Sequence, residues 1–234
     1  IGSVSTNAIK FSYEYDDQGR LVNLKRPITG SENEISCEYN IQGWLTKVGS
    51  SSFTEQIHYN DGLGTHLWSG NISSVIWKDG KQTSKGYKYT YDEFSRLIKS
   101  QYGENDFADA VGHFDENVEY DSNGNITHLV RNGLMQNGDY GAIDNITIGY
   151  DGNKLNSITE SAVPVLYNNS MDVKKSSSDI KYNSNGSLVY DGTRGITNIK
   201  YDNNDNPIRI QFENGSVTKY IYSAEGHKFR TIHY

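Results

Sequence analysis

The sequence predicts an all-β chain of tandem antiparallel β-hairpins, and three observations predict it. A seven-residue phrase recurs: YDDQGRL at Tyr15, YNIQGWL at Tyr39, YDEFSRL at Tyr91, YDSNGNI at Tyr120 and YNSNGSL at Tyr182. Apolar residues fall at alternate positions on the approach to each tyrosine, which is the period of a strand. The composition is that of a thin sheet, with 18 Tyr, 23 Gly and a mean hydropathy of -0.71 in 234 residues. Tyrosine suits such a structure because its ring buries a large apolar area while its hydroxyl reaches water or a partner.

Aligned on the tyrosine, the frame runs Tyr15, Tyr39, Tyr59, Tyr91, Tyr120, Tyr150, Tyr182, Tyr201 and Tyr222, at spacings of 19 to 32 residues. Spacings near twenty mark the bare unit. The longer ones are the same unit with an inserted loop of about ten residues, the usual way repeats absorb insertions.

Each unit opens on a strand. Two positions before the tyrosines stand Tyr13, Cys37, Ile57, Tyr89, Val118, Ile148, Ile180, Ile199 and Tyr220, all apolar or aromatic. Period-two alternation puts each on one face with its tyrosine, and Glu14, Glu38, Glu119 and Lys200 on the other. A turn follows. All the tyrosines except Tyr222 precede Asp or Asn, whose side chains close Asx-turns, and many copies then carry a Gly able to take positive φ. The chain becomes apolar again six residues after the tyrosine, at Leu21, Leu45, Leu97, Ile126 and Leu188. Leu155 and Ile208 come one residue early and one late, which predicts one shortened and one lengthened turn. Each phrase is therefore a hairpin.

An isolated hairpin is marginal in water, so the units must pair edge to edge. We expect a single array over residues 1–234, curled or spiral, with inserted loops near 101–117 and 161–179. More than half of the chain should be strand. No helix should exceed a turn or two, and Asp106–Val111 is the favoured place for one. The expected core is Tyr15, Tyr39, Tyr91, Tyr120, Tyr150, Tyr182 and Tyr201 together with Cys37, Ile57, Val118, Ile148, Ile180 and Ile199. Strand edges at the ends of the ribbon should bind neighbouring repeats, associate with other copies, or be covered by the inserted loops.

Composition excludes some functions. The longest apolar run, Ala162–Tyr167, is far short of the roughly 20 residues of a membrane-spanning helix and is broken by Pro164. A formal charge of -7 opposes nucleic acid, whose phosphates require a basic face. A lone cysteine forms no internal disulfide. The first residue is Ile1 rather than methionine, as expected of a piece of a longer or processed precursor, so the lack of a targeting segment carries no information about location.

Phrases of the form Tyr-Asp-x-x-Gly-Arg-Leu on this period resemble the RHS/YD-repeat family. The resemblance rests on YDDQGRL, YNIQGWLTKV, YDEFSRLIKSQYGE, GNISSVIWKDG at Gly70–Gly80 and the run Tyr201–Arg230, and it covers nearly the whole chain. It implies a hairpin ribbon wound into a hollow shell, a fragment of a larger secreted or cell-surface protein. In bacterial toxins of the family the shell encloses a variable C-terminal toxic domain, and in teneurins a related shell serves adhesion. The implied partners are the remaining repeats of the parent protein and its C-terminal cargo domain. Two features depart from the family: no Asp-Pro occurs, where self-cleaving members carry Asp-Pro-x-Gly, and the repeat pattern runs on to Tyr222 where a cargo domain would begin. The chain resembles a piece of shell wall.

A search for chemistry leads to a non-enzymatic expectation with no catalytic, cofactor or metal residues. Cys37 takes the slot that Ile57 and Val118 fill elsewhere, so it reads as a small core residue. His58 with His66, and His227 with His233, lie at even spacing, which places each pair on one face of a strand, but none of the six histidines has a metal-motif spacing. Gly62–Gly64 starts a dinucleotide-like pattern that fails at Leu67. The turns Asp121–Asn125 and Asp202–Asn206 place oxygens at alternate positions like a calcium loop, yet Ile126 and Pro207 stand where such a loop needs Gly. The window Gln101–Asn125 holds seven acidic residues and no Lys or Arg, read either as a solvated loop or as a docking surface for a basic partner. The competing function is a carbohydrate-binding or adhesion module, with Trp44, Trp68 and Trp77 as platforms for surface glycans. Tryptophans packed on the Tyr/Ile face would be core, and exposed rings beside polar groups would be a sugar site.

Overall fold

The computed structural model describes residues 11–28, 31–162 and 180–234. Among them are eighteen strands, and more than half of the described residues are in strand. The chain divides into two compact units, Ile1–Asp115 and Glu116–Tyr234.

The first unit contains β1 (Ser12–Tyr15), β2 (Leu21–Ile28), β3 (Ser31–Tyr39), β4 (Leu45–Gly49), β5 (Phe53–His58), β6 (Ser74–Asp79), β7 (Lys85–Tyr91) and β8 (Leu97–Glu104). Each strand pairs antiparallel with the next. The second unit begins with β9 (Glu116–Tyr120), β10 (Ile126–Leu134), β11 (Tyr140–Asp151) and β12 (Lys154–Glu160), paired in the same order. It continues with β13 (Ile180–Tyr182), β14 (Leu188–Asp191), β15 (Ile196–Tyr201), β16 (Pro207–Phe212), β17 (Val217–Tyr222) and β18 (Lys228–His233), again in sequence order. Local antiparallel pairing is what a hairpin repeat produces, since each strand meets the one that its own turn returns.

The repeated phrase is a three-residue hairpin loop. In the first copy the Asp16 N–H donates to the Arg20 carbonyl at 2.9 Å, and the Gly19 N–H to the Asp16 carbonyl at 2.9 Å. Asp16 Oδ1 accepts from the N–H groups of Gln18 and Arg20. Gly19 has φ +76°, the left-handed residue that completes a type I turn with a bulge. The same double acceptance recurs at Asn40, Asp92, Asp121, Asn183 and Asp202. This turn brings the tyrosine directly opposite the residue six positions later, as in the pairs Tyr15–Leu21, Tyr39–Leu45 and Tyr91–Leu97.

That geometry explains why the residue is tyrosine. The Tyr39 hydroxyl donates to the carbonyl of Leu21, in the exit strand of the preceding hairpin, at 2.9 Å. Tyr59 reaches Leu45, Tyr150 reaches Ile126, Tyr182 reaches Leu155, Tyr201 reaches Leu188 and Tyr222 reaches Pro207 in the same way. In the unit with the long insertion, Tyr91 uses the carbonyl of Ile72 instead. Phenylalanine would fill the same space and leave a half-buried carbonyl without its donor.

Three expectations need correction. Tyr15 is 60% exposed rather than core, because a tyrosine of this frame is covered by the hairpin before it, and no such hairpin lies among the described residues. Tyr39, Tyr91, Tyr120, Tyr150, Tyr182, Tyr201, Cys37, Ile57, Val118 and Ile148 are half-buried, and only Ile180 and Ile199 of the expected set are buried. A ribbon of hairpins covers one side of each ring and leaves the other open. The turn after Tyr201 is not lengthened: Pro207 stands opposite Tyr201, and Ile208, expected in that slot, is exposed. The shortened turn does occur, with Tyr150 opposite Leu155.

Helical structure also falls elsewhere than expected. Residues 106–111 form turns, with Asn105, Asp106 and Phe107 consecutively at φ of +52°, +54° and +67°. The helical turn is a 3-10 segment at Gly192–Arg194, capped by Asp191 Oδ1, which accepts from the Thr193 and Arg194 N–H groups. The buried cluster of the second unit is Ile146, Ile158 and Ile180, against which Leu129, Ile148, Leu155, Tyr182 and Leu188 pack. The insertion expected near 101–117 begins at Asn105, after β8, and ends before β9. Residues 163–179 of the second expected insertion lie outside the described residues.

Candidate functional site

The three tryptophans have different environments. Trp44 is half-buried, its ring 5.0 Å from that of Tyr59 at an interplanar angle of 42°. A side chain at Gly70 would come within 3.1 Å of it, so Trp44 is packing. Trp68 is 74% exposed in the loop between β5 and β6, with no ring partner among the described residues. Trp77 lies on β6 and stacks on Tyr87 of β7, with centroids 6.0 Å apart and planes at 25°.

From Trp77 an aromatic run crosses one face of the first unit. Register produces it, because Trp77 stands opposite Lys85, and Val75 opposite Tyr87, while Tyr87 stands opposite Tyr102. Tyr87 stacks on Tyr89 at 6.2 Å and meets Tyr102 edge-on at 5.4 Å, and Tyr102 meets Phe114 edge-on at 4.9 Å. At the Trp77 end is a groove of about 250 Å³, lined by Phe53, Trp77, Asp79, Gln82, Thr83 and Lys85. Phe53 and Asp79 face each other across β5 and β6, and the β6–β7 turn supplies Gln82 and Thr83. An apolar plate beside a carboxylate, an amide and an ammonium can stack a ring's C–H face and bond its hydroxyls. Sequence reading found Trp77 but not its companions. Their signal was the alternation of Phe53, Glu55 and Ile57 against Val75, Trp77 and Asp79, which becomes a site only once the register is known.

The loop between β8 and β9 supplies Phe114 at the other end of the run and lays Phe107 on the opposite face of the same strands. The Phe107 ring lies on the facing glycines Gly86 and Gly103, where a Cβ at Gly103 would come within 2.5 Å of it, and Lys88 Nζ sits 4.2 Å from its centroid. Ser84 Oγ donates to Asp106 Oδ1 at 2.9 Å and accepts from the Asp106 N–H at 3.0 Å. Buried Asp115 accepts from the Tyr102 N–H at 2.8 Å.

These contacts bear on the acidic window. Glu104 accepts from the Tyr102 hydroxyl, Asp109 from Asn105 Nδ2, and Asp121 from Asn123 and Asn125. With Asp106 and Asp115, five of its seven carboxylates hold the local chain, and Glu119 lies 3.6 Å from His128 Nδ1 across the β9–β10 ladder. The calcium-like turns behave alike: both oxygens of Asp121 and of Asp202 accept from their own turn. Bonds from the Asn125 side chain hold the Asp121 carboxyl below its ordinary range, and the Asn206 N–H does so for Asp202.

Among the described residues, no three His, Cys, Asp or Glu side chains come together. Cys37 stands opposite Val48 in the β3–β4 ladder and is half-buried. His58 Nδ1 lies 3.3 Å from Asp61, while His66 is exposed in the following loop. His233 Nδ1 lies 3.0 Å from the Thr218 hydroxyl, and His227 is exposed at the last turn.

No family model and no curated protein matches the chain in sequence. Its fold is similar to those of toxin assemblies. The crystal structure of TcdB2-TccC3-TEV aligns with TM-score 0.60 and 15% identity over 95% of this chain and 12% of that one. The Photorhabdus luminescens Tc holotoxin pore with a mutated TccC3 aligns with TM-score 0.61 and 16% identity, and TcdB2-TccC3 without its hypervariable C-terminal region with TM-score 0.62 and 16% identity, each over the same 95% and 12%. The chain therefore spans about an eighth of the proteins it resembles, and the likeness is one of fold alone, an antiparallel all-β array.

Proposed function

We propose that this chain is a non-enzymatic wall segment of a secreted or surface RHS/YD-repeat protein, part of a β-shell that encloses or presents a C-terminal toxin or adhesion domain. The observation that carries the reading is the hydroxyl link from six of the nine frame tyrosines, Tyr39, Tyr59, Tyr150, Tyr182, Tyr201 and Tyr222, to the exit strand of the hairpin before. Such a link lets one unit serve as a ledge for the next, so the array lengthens without a deep core. The fold likeness to TccC3-containing assemblies, one of them solved without its hypervariable C-terminal region, supports it. Expression of the parent protein followed by limited proteolysis is the test. A C-terminal domain resistant to protease in the wild type, and cleaved once Tyr91 and Tyr150 are both changed to Ala, is the expected result. A domain cleaved at the same rate in both proteins would refute enclosure. Hydrolysis of a glycan or peptide abolished by Cys37→Ala would refute the non-enzymatic reading.

The groove at Phe53 and Trp77 favours a second reading, binding of a neutral sugar ring on the same wall. Trp77 fluorescence quenched by an oligosaccharide, and the response lost in Asp79→Ala, would support it.

A further inference from the structure

We infer that the outward face of β15–β18 is a binding surface for an extended anionic polysaccharide carrying carboxylate groups. Register places Lys200 directly opposite Arg209, and Arg209 directly opposite Lys219. Strands lie about 4.8 Å apart, so three cations form a line across three neighbouring strands. Arg230, opposite Ile221 and thus on the same face two residues along from Lys219, extends the line onto β18. The opposite face is the packed one, with Ile199 and Thr218 buried.

Like charges directly opposite in a ladder repel, and the other ladders among the described residues avoid this arrangement. Lys25 faces Glu34, Lys47 faces Glu38 and Arg131 faces Asp144, each within ion-pair distance. Lys200, Arg209, Lys219 and Arg230 form no ion pair among the described residues. The carboxylates nearest in sequence are turn residues: Asp202 is bonded to Asn206, Asp205 to Asn185, and Glu213 and Glu225 stand in the two following turns. Residues 180–234 hold seven Lys and Arg against five Asp and Glu, in a chain of net charge -7.

The neighbours of the row select among anions. Asn198 stands opposite Gln211 in the adjacent row, and Gln211 Oε1 takes a bond from Arg209 at 2.9 Å, which turns its amide NH₂ away. The Tyr234 ring lies 5.0 Å from Lys219 Nζ. Amides and an aromatic plate serve sugar hydroxyls and ring faces, which an acidic peptide lacks. The inference does not depend on the shell reading, because it concerns the residues of one sheet face.

Titration of the protein with polygalacturonate at low and moderate salt tests it. We expect binding that weakens with salt, as release of counterions from about three or four contacts requires. The variant carrying Lys200→Gln, Arg209→Gln and Lys219→Gln should lose about tenfold or more in affinity while its circular dichroism is unchanged. Lys219→Gln alone, at an exposed position, should lose part of it, and Lys47→Gln none. Fully methyl-esterified polygalacturonate should not bind. Absence of binding by the wild type, retention by the triple variant, or equal binding of poly-glutamate or a single-stranded oligonucleotide would overturn the inference.

Discussion

The β1–β2 and β13–β14 hairpins carry the same phrase and fold to the same turn, yet they differ in what holds them. Asp16 and Asn183 each accept two turn N–H groups at 2.9–3.0 Å, and Gly19 and Gly186 take φ of +76° and +83°. Tyr182 then donates to Leu155 at 2.9 Å and packs on the cluster of Ile146, Ile158 and Ile180. Tyr15 is exposed, and its hydroxyl has no acceptor among the described residues. The phrase therefore specifies a hairpin locally, while its stability comes from the unit that precedes it. A repeat protein divides its free energy in this way, with weak units and favourable interfaces between them.

The comparison breaks most visibly at the buried cluster. Ile158→Ala should destabilise the second unit by about 2–4 kcal/mol, from lost burial and the cavity left behind. Tyr15→Ala should change stability by less than about 0.5 kcal/mol, the range of a surface substitution. Urea melts of the two variants check both values, and equal losses would remove the distinction between anchored and unanchored hairpins.

The next effect is alkaline. Burial raises the phenol groups of Tyr59, Tyr91, Tyr150, Tyr182 and Tyr201 above their ordinary value. A raised folded value means that the unfolded chain loses these protons first, near pH 10. Their stabilisation is complete below that pH and is lost as pH rises through the folded values. Ionisation also removes the donor that links one hairpin to the carbonyl of another. The melting temperature should hold to about pH 9.5 and fall steeply above pH 10, in step with phenolate absorbance. A melting temperature flat to pH 11 would mean that the hydroxyl links contribute nothing.

A smaller effect isolates one link. Tyr182→Phe keeps the ring and removes the donor to the Leu155 carbonyl, at an expected cost of about 1 kcal/mol. Tyr15→Phe should cost nothing measurable. Equal effects in paired urea melts would show that the hydroxyl is not what joins the units.

Much of this was legible in the sequence because the repeat writes its local rules openly. The tyrosine, the Asx position and the left-handed residue fix the turn through contacts within seven positions, and nine copies make the pattern plain. Burial was not legible in the same way. Tyr15 and Tyr182 open the same local pattern of tyrosine, Asx residue, glycine and leucine, and the neighbouring hairpin decides which of them is covered. The slot after Tyr201 was misplaced because Pro207 looks like a turn residue and Ile208 like the apolar partner, whereas the hydrogen-bonded frame keeps its length. The groove at Trp77 and the row from Lys200 to Lys219 were not visible, because both exist only once successive strands are set in register.

The last contrast is the finest, because it rests on one atom at the same place in both turns. Asp16 and Asn183 accept the same two N–H groups, but only the aspartate titrates. The Arg20 N–H, opposed in part by desolvation and aided by the Arg20 guanidinium 2.7 Å from Oδ2, holds the Asp16 carboxyl below its ordinary value. A lowered folded value means that the unfolded chain binds the proton first as pH falls. The carboxylate's contribution is thus complete above the ordinary aspartate value near pH 3.9 and is lost as pH falls through the folded one. Asn183 accepts through a neutral amide at any pH. Amide exchange followed from pH 6 to pH 2, corrected for intrinsic rates, should show the Gln18 and Arg20 protons losing protection while those of Asn185 and Ser187 keep theirs. Asp16→Asn should abolish the difference by giving the first hairpin the chemistry of the later one. Parallel loss in both turns, or an acid response unchanged in Asp16→Asn, would show that acid acts on the sheet as a whole and not through this carboxylate.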